Sequence, residues 1–253
     1  MTVKAQKVIE ESEVIVGYTK YIEFIKPLLG NKEIYSTGMM GEVQRCEAAL
    51  RISKDKIVSI ISTGDAGIYG MAGLILDLRK DEEVEVIPGV TASSAAASLL
   101  GAPLMHDNCN ISLSDLMTPY DLIKKRVELA SQGDFVISLY NPRSKGRPNY
   151  LRECVDIIRK YRAGATPVGI VKNALRGGEE VNVVTLNSLN EDIVDMCSIV
   201  IIGNSKTYVK DGKILTPRGY ENKITVDNKW MIVYYRNIEV IKWEKKMMKK
   251  KKV

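Results

Sequence analysis

Ser62-Thr63-Gly64-Asp65-Ala66-Gly67-Ile68-Tyr69-Gly70-Met71 follows a run of β-branched residues and leads into a helical pattern. Gly64 and Gly67 allow backbone to approach a ligand closely. Asp65 places a carboxylate where open α/β sheets bind ligands, at the carboxyl end of a strand. It could accept hydrogen bonds from ribose hydroxyls or an ammonium group, or it could simply cap the helix that follows. Ile87-Pro88-Gly89-Val90-Thr91-Ala92-Ser93-Ser94 has the same strand–loop–helix character. The first N–H groups of that helix, helped by its dipole, suit a carboxylate. Thr91 and Ser93 add hydroxyls, although any helix favours such residues at its start.

Leu139-Tyr140-Asn141-Pro142-Arg143-Ser144-Lys145-Gly146-Arg147 is the most distinctive stretch. A strand ends there in a loop with three cations, which could receive a polyanion through charge-assisted hydrogen bonds or stand as a solvated basic turn. His106, the single histidine, sits beside Asp107 in Leu104-Met105-His106-Asp107. Imidazole exchanges protons near neutral pH, so His106 is a candidate acid/base as well as a candidate structural residue.

The sequence contains no P-loop, no G-x-S-x-G elbow, no H-E-x-x-H and no G-x-G-x-x-G, which removes most support for nucleotide-triphosphatase and hydrolase readings. Cys46, Cys109, Cys154 and Cys197 are widely spaced. They suggest neither a zinc site nor a disulfide framework, and no metal ligand set is expected. Much of the +6 net charge comes from Lys245, Lys246 and Lys249 to Lys252. That run reads as a solvated tail, and the cations elsewhere are not interleaved with aromatics as in single-strand binders. Nucleic acid is therefore not an expected partner. No stretch is long and apolar enough to span a bilayer and the charged start is no signal peptide, so the expectation is a cytoplasmic protein without membrane contact.

The elements that must position these loops alternate. Val14–Tyr18, Lys56–Ser62, Val84–Ile87, Asn110–Ser114, Asp134–Tyr140, Pro167–Val171 and Ser198–Gly203 read as strands. Several are nearly continuous in Val and Ile, as in strands covered on both faces. Glu42–Ser53, Tyr69–Lys80, Thr91–Leu100, Pro119–Ser131 and Pro148–Tyr161 read as helices, which predicts α/β architecture with largely parallel sheets. Gly101-Ala102-Pro103 closes an alanine-rich helix, so a hinge is expected near 103–110. It divides the chain into an α/β domain over 1–105, a second over 106–221 and an atypical extension over 222–253. The cleft between two domains is a favoured ligand site. Within the extension, Lys229–Tyr235 and Asn237–Trp243 could form a hairpin. At the other end a helical pattern begins almost at once, as if the chain started after the strand that usually opens such a domain.

Together these loops resemble the tetrapyrrole methylase family from Met1 to about Tyr220. The marks are Thr63-Gly64-Asp65 with Tyr69-Gly70, Pro88-Gly89-Val90-Thr91-Ala92 and Val171-Lys172-Asn173-Ala174. Gly101–Asp107, Ile111–Leu116 and the Leu139–Arg147 loop resemble the branch that methylates C17 of precorrin-3B or cobalt-factor III and contracts the ring. The resemblance implies two α/β domains, a homodimer, and S-adenosylmethionine bound in the interdomain cleft. It assigns cofactor contacts to Thr63, Gly64, Asp65, Ile68, Thr91, Ala92, Tyr140, Asn173 and Ala174, with Gly203 and Asn204 as weaker additions. Contacts with the tetrapyrrole substrate fall to Ser114, Asp115, Arg143 and Lys145, and His106 becomes the candidate acid/base for ring contraction. The family opens with a strand and a G-x-G-P-G loop that this chain does not show. The expectation is weak cofactor binding and a destabilised first domain, relieved in a version extended upstream. Rival readings are a methylase of the same fold acting on another corrin precursor, ribosomal RNA or diphthine, and an inactive protein that still dimerises.

Overall fold

Val14, Ile15 and Val16 offer no polar face to solvent, and all three are fully buried in the middle strand of a sheet. The computed structural model describes residues 1–219. There α1 (Val3–Glu11) precedes β1 (Val14–Tyr18), followed by α2 (Thr19–Phe24), α3 (Lys26–Leu29), β2 (Glu33–Thr37), α4 (Glu42–Ile52), β3 (Val58–Ile61) and α5 (Ala72–Leu78). β1 lies between β2 and β3 and parallel to both, with Val16 opposite Tyr35 and Ile60. Parallel neighbours need a crossover rather than a tight turn, and the crossing helices cover both faces. Cys46, Ala49 and Leu50 of α4 pack with Val14, Val16 and Ile75; Ile9, Ile22, Ile25 and Leu29 pack with Ile15 on the other side.

The chain continues through α6 (Ala92–Leu100), β4 (Gly101–Ala102), β5 (Asn108–Ser112), α7 (Tyr120–Gln132), β6 (Val136–Tyr140), α8 (Tyr150–Arg159), β7 (Pro167–Lys172), β8 (Glu180–Thr185) and β9 (Ser198–Ile202). A hairpin of β10 (Tyr208–Lys210) and β11 (Lys213–Leu215) then pairs with β4. The second large sheet has the order β5-β6-β9-β7-β8. In α8 the buried residues Leu151, Cys154, Val155 and Ile158 recur at the spacing of one helix face, and they join Ile137, Leu139, Val168 and Val200 in the main core.

The parallel arrangement is complete in the first sheet. In the second it holds for β5–β6, while β6–β9, β9–β7 and β7–β8 are antiparallel. The alternation of strand and helix stops after α8, and strands with no intervening helix are free to run antiparallel.

The expected strand Val84–Ile87 has no ladder partner among the described residues, although Val84 packs on the first core. β2 and β8, both edge strands, escaped the sequence reading because polar residues alternate through them. The expected hairpin at 229–243 and the extension over 222–253 lie outside the described residues. Among the described residues no helix is long and apolar enough to cross a membrane.

Helix α6 departs most from the expected division at 105. It comes from the first half of the chain, yet Ala96, Ala97 and Leu100 pack with Val136, Tyr140, Val171, Ile199 and Ile201 of the second sheet. Its alanines permit a close approach, and so does Gly169 in β7. A Cβ at Gly169 would lie 2.3 Å from Leu100 Cδ1. Met1–Arg218 accordingly form one compact unit. Gly169→Ala is expected to force Leu100 out of its rotamer and lower stability by about 1–3 kcal/mol, read as an earlier midpoint in urea unfolding.

Candidate functional site

The loop after β3 and the loops after β5, β6 and β7 all leave the carboxyl ends of their strands, and side chains tie these edges together. Tyr69, in the β3–α5 loop, donates from its hydroxyl to Asn110 O of β5 at 2.8 Å. Its ring lies 5.0 Å from that of Tyr140 at the end of β6. Arg176, in the β7–β8 loop, stands over the ring of Phe24 in α2 at 4.7 Å. Tyr69 holds this position with φ of 54°, a left-handed conformation that is uncommon for a bulky residue and is found at functional sites. Burial pushes its phenol above the ordinary value, so the hydroxyl stays protonated and donates.

Asp65 ties two loops to each other. Its Oδ1 accepts from Gly67 N–H at 2.8 Å and its Oδ2 from Gly89 N–H at 2.9 Å. The loops touch through backbone: a Cβ on Gly89 would fall 2.0 Å from Gly64 O. Gly64 itself has φ of +74°, open to glycine at little cost. Asp65 does not cap α5, whose N-cap is Met71 with no side-chain bond. It orders the turn ahead of α5, and it also fixes the approach of the two loops expected to hold a ligand. Gly89 stands in the Pro88–Ala92 mark of the sequence, but its role as the seat of this close approach is visible only in the fold.

The start of α6 is capped from outside. Thr91 makes no side-chain cap bond to its own helix. Instead the Tyr140 hydroxyl accepts from Ser93 N–H at 2.9 Å and lies 2.5 Å from Thr91 Oγ1 and 2.9 Å from Ser93 Oγ. Ile68, Ala92 and Ala174 pack around the same cluster as Tyr140. Asn173 adopts φ of 49° and donates from Nδ2 to Gly178 O at 3.1 Å. The structure therefore brings Gly64, Asp65, Ile68, Thr91, Ala92, Tyr140, Asn173 and Ala174 to one region, with Thr63 beside Gly64 in the chain. Tyr140 contributes its ring there, since its hydroxyl is already taken up by α6.

The loops after β5 and β6 form the rest of this edge. Ser112 Oγ accepts from Asn141 Nδ2 at 3.0 Å and from Ser114 N–H at 3.2 Å. The cations are less free than the sequence implied. Arg143 donates to Glu191 O at 2.7 Å and pairs with Asp192 at 3.1 Å. Arg147 is buried and binds Leu113 O and Asn141 O. Among the described residues Lys145 is exposed and has no ion pair. Asp115 is held by Tyr150, whose hydroxyl donates to Oδ2 at 2.8 Å. Nothing in the sequence flagged Tyr150, because only the fold brings the start of α8 back to the β5 loop.

Three expected residues fall elsewhere. His106 precedes the amino end of β5, whereas the site follows its carboxyl end. It is exposed, its Nδ1 accepts from Asp107 N–H at 2.8 Å, and with Leu104, Met105, Asp107 and Arg218 it lines a separate cavity of about 450 Å³. Gly203 and Asn204 follow β9, which runs against β6 and β7. Ile202 pairs with Ile137 and Val168, near the amino ends of those strands. Asn204 serves a turn, accepting at Oδ1 from Lys206 N–H and Thr207 Oγ1, both at 3.0 Å. Sequence order alone could not reveal that β9 is reversed.

Known proteins resemble this arrangement. A profile for the family described as Tetrapyrrole (Corrin/Porphyrin) Methylases matches residues 1–190. A protein of Salmonella typhimurium named "Probable cobalt-factor III C(17)-methyltransferase" is 50% identical over 225 residues, covering 87% of this chain and 93% of that protein. The "Cobalt-factor III methyltransferase" of Priestia megaterium is 46% identical over 236 residues, 90% of this chain and 44% of that longer protein. Among solved structures, the "methyltransferase CobJ" superposes with a TM-score of 0.81 at 30% identity, covering 86% of this chain and 93% of that one. The loops that meet at the carboxyl edges lie within the matched residues, and the chain belongs to the tetrapyrrole (corrin/porphyrin) methylase family.

Proposed function

We propose that the chain transfers a methyl group from S-adenosylmethionine to C17 of precorrin-3B or cobalt-factor III, with contraction of the ring, in cobalamin biosynthesis. The observation that carries this reading is the convergence of Asp65, Thr91–Ala92, Tyr140 and Asn173–Ala174 at one edge, in a chain 50% identical to a relative named for that reaction.

The donor set suits the cofactor. Ile68, Ala92 and Ala174 offer apolar surface for an adenine ring. The Asp65 carboxylate, with one N–H on each oxygen, retains lone pairs for ribose hydroxyls or the ammonium group. The first N–H groups of α6 favour the carboxylate through the helix dipole. The rings of Tyr69 and Tyr140 offer π faces that attract a cation such as a sulfonium. S-adenosylmethionine supplies an electrophilic methyl group. The task left to the chain is to hold nucleophile and methyl in line at about 3–3.5 Å, and the contacts across the cleft at Tyr69 and Tyr140 serve that task. Lys145 is the cation most open to the acetate and propionate groups of the substrate. The proton movements of ring contraction need groups at this edge, where Tyr69 stands and His106 does not. The resemblance also carries the homodimer, which light scattering in solution would check.

Calorimetric titration with S-adenosylhomocysteine is the direct test: saturable one-site binding supports the reading, and its absence removes it. Gly89→Ala is expected to abolish that binding while the protein stays folded by circular dichroism, because the added methyl drives the two loops apart. His106→Asn is expected to change methyl transfer less than threefold, about 0.6 kcal/mol; a larger fall in kcat would return His106 to the chemistry.

A further inference from the structure

By charge alone, Asp115 is a poor residue for this cleft. A tetrapyrrole with acetates and propionates around its rim would be repelled by a carboxylate facing that rim. Yet the side chain keeps 34% of its surface exposed at the carboxyl edge of β5, and it is held from two sides. Tyr150 donates to Oδ2 at 2.8 Å, and Arg147 Nε stands 3.7 Å from Oδ1. Arg147 is in turn buried against Leu113 O. Tyr150 stacks on Tyr120, with ring centroids 3.7 Å apart and planes 15° from parallel. Tyr120 is bonded to Glu153 at 3.0 Å and overlain by Lys124 Nζ at 4.9 Å. Bonded and stacked groups thus stand behind a partly exposed carboxylate, the kind of support that fixes a working group in place.

A macrocycle with an anionic rim has an electropositive centre. In the metal-free form pyrrolic N–H groups donate there, and in the cobalt complex the centre holds a cation. A carboxylate fixed in the cleft attracts that part of the ligand and repels the rim. We propose that Tyr150 is a positioning residue, which aims the Asp115 carboxylate at the electropositive centre of the bound macrocycle. The inference rests on the proposed function and deepens it: Asp115 reads the centre, and Lys145 is left to the rim.

The test is an absorbance titration of the full chain, with S-adenosylhomocysteine present, using metal-free uroporphyrin III and its cobalt complex as probes. Steady-state methyl transfer is measured in parallel. Tyr150→Phe keeps the ring and its stack and removes only the hydroxyl. It is expected to weaken tetrapyrrole binding and raise the tetrapyrrole KM about tenfold, leaving kcat and the Kd for S-adenosylhomocysteine unchanged. Asp115→Asn is expected to do at least as much, and adding Tyr150→Phe to it should cost nothing further, because Tyr150 acts through Asp115. Weakening confined to the metal-free probe assigns the contact to N–H donors; weakening confined to the cobalt complex assigns it to the cation. Unchanged tetrapyrrole binding by Tyr150→Phe, or penalties that simply add, would overturn the inference while cofactor binding persists. A chain that binds neither S-adenosylhomocysteine nor tetrapyrrole overturns the proposed function and this inference with it.

Discussion

Helix α6 is the constraint on which the rest of the molecule depends. Its first turn continues the loop that follows Gly89, one of those proposed to hold the cofactor, and its body lies against the second sheet through Ala96, Ala97 and Leu100. The Tyr140 hydroxyl takes the N–H of Ser93, so the helix start is pinned to the end of β6, the strand whose loop carries Asn141 and Arg143. Leaving that buried N–H without a partner would cost about 1–3 kcal/mol, and Gly169 gives Leu100 its seat at the other end. Loops from both halves of the chain are thereby brought into register by one nine-residue helix. The contacts of Tyr69 with Asn110 and Tyr140, and of Arg176 with Phe24, add to this tie between the loops of Asp65 and Asn173.

Much of this was legible in the residues. The buried strands announce themselves as Val and Ile runs, and the helices from α4 onward fall where periodicity puts them. The loops expected to bind the cofactor do meet. What escaped has physical reasons. β2 and β8 are edge strands with no fully buried residue, and polar residues break their apolar runs. The reversal of β9 is a property of the whole sheet, so Gly203 and Asn204 could not be placed by reading along the chain. A hinge around residue 106 puts His106 at the cleft in the sequence, yet the turn it occupies lies at the other end of β5. Tyr69 and Gly89 stand among the marks in the sequence, but what they touch, and the role of Tyr150, rest on contacts between segments remote in the chain.

The electrostatics also read differently in three dimensions. A loop with Arg143, Lys145 and Arg147 looks like a cationic receptor when written as a string. In the fold Arg147 is a strut between the β5 and β6 loops, and Arg143 fastens the β6 loop to Glu191 and Asp192. A buried guanidinium lined by carbonyl oxygens gives shape to a loop, because its planar fork fixes several acceptors at once. Two of the three charges therefore set the geometry of the edge, and Lys145 is the one of the three that makes no ion pair among the described residues.

The reversed course of β9 divides the second sheet into two margins with different evolutionary freedom. At one margin the carboxyl ends of β5, β6 and β7 carry the residues proposed to meet ligands. At the other, where β9 delivers Gly203 and Asn204, the chain is occupied with turns, the β10–β11 hairpin and the exposed stretch around His106. That second margin holds none of the groups of the proposed site, so the proposal leaves lineages free to remodel it, lengthen it or dock other proteins there. A fluorescent label or an affinity tag grafted beside Asp211 and Gly212, the exposed turn of the hairpin, would exploit the same freedom.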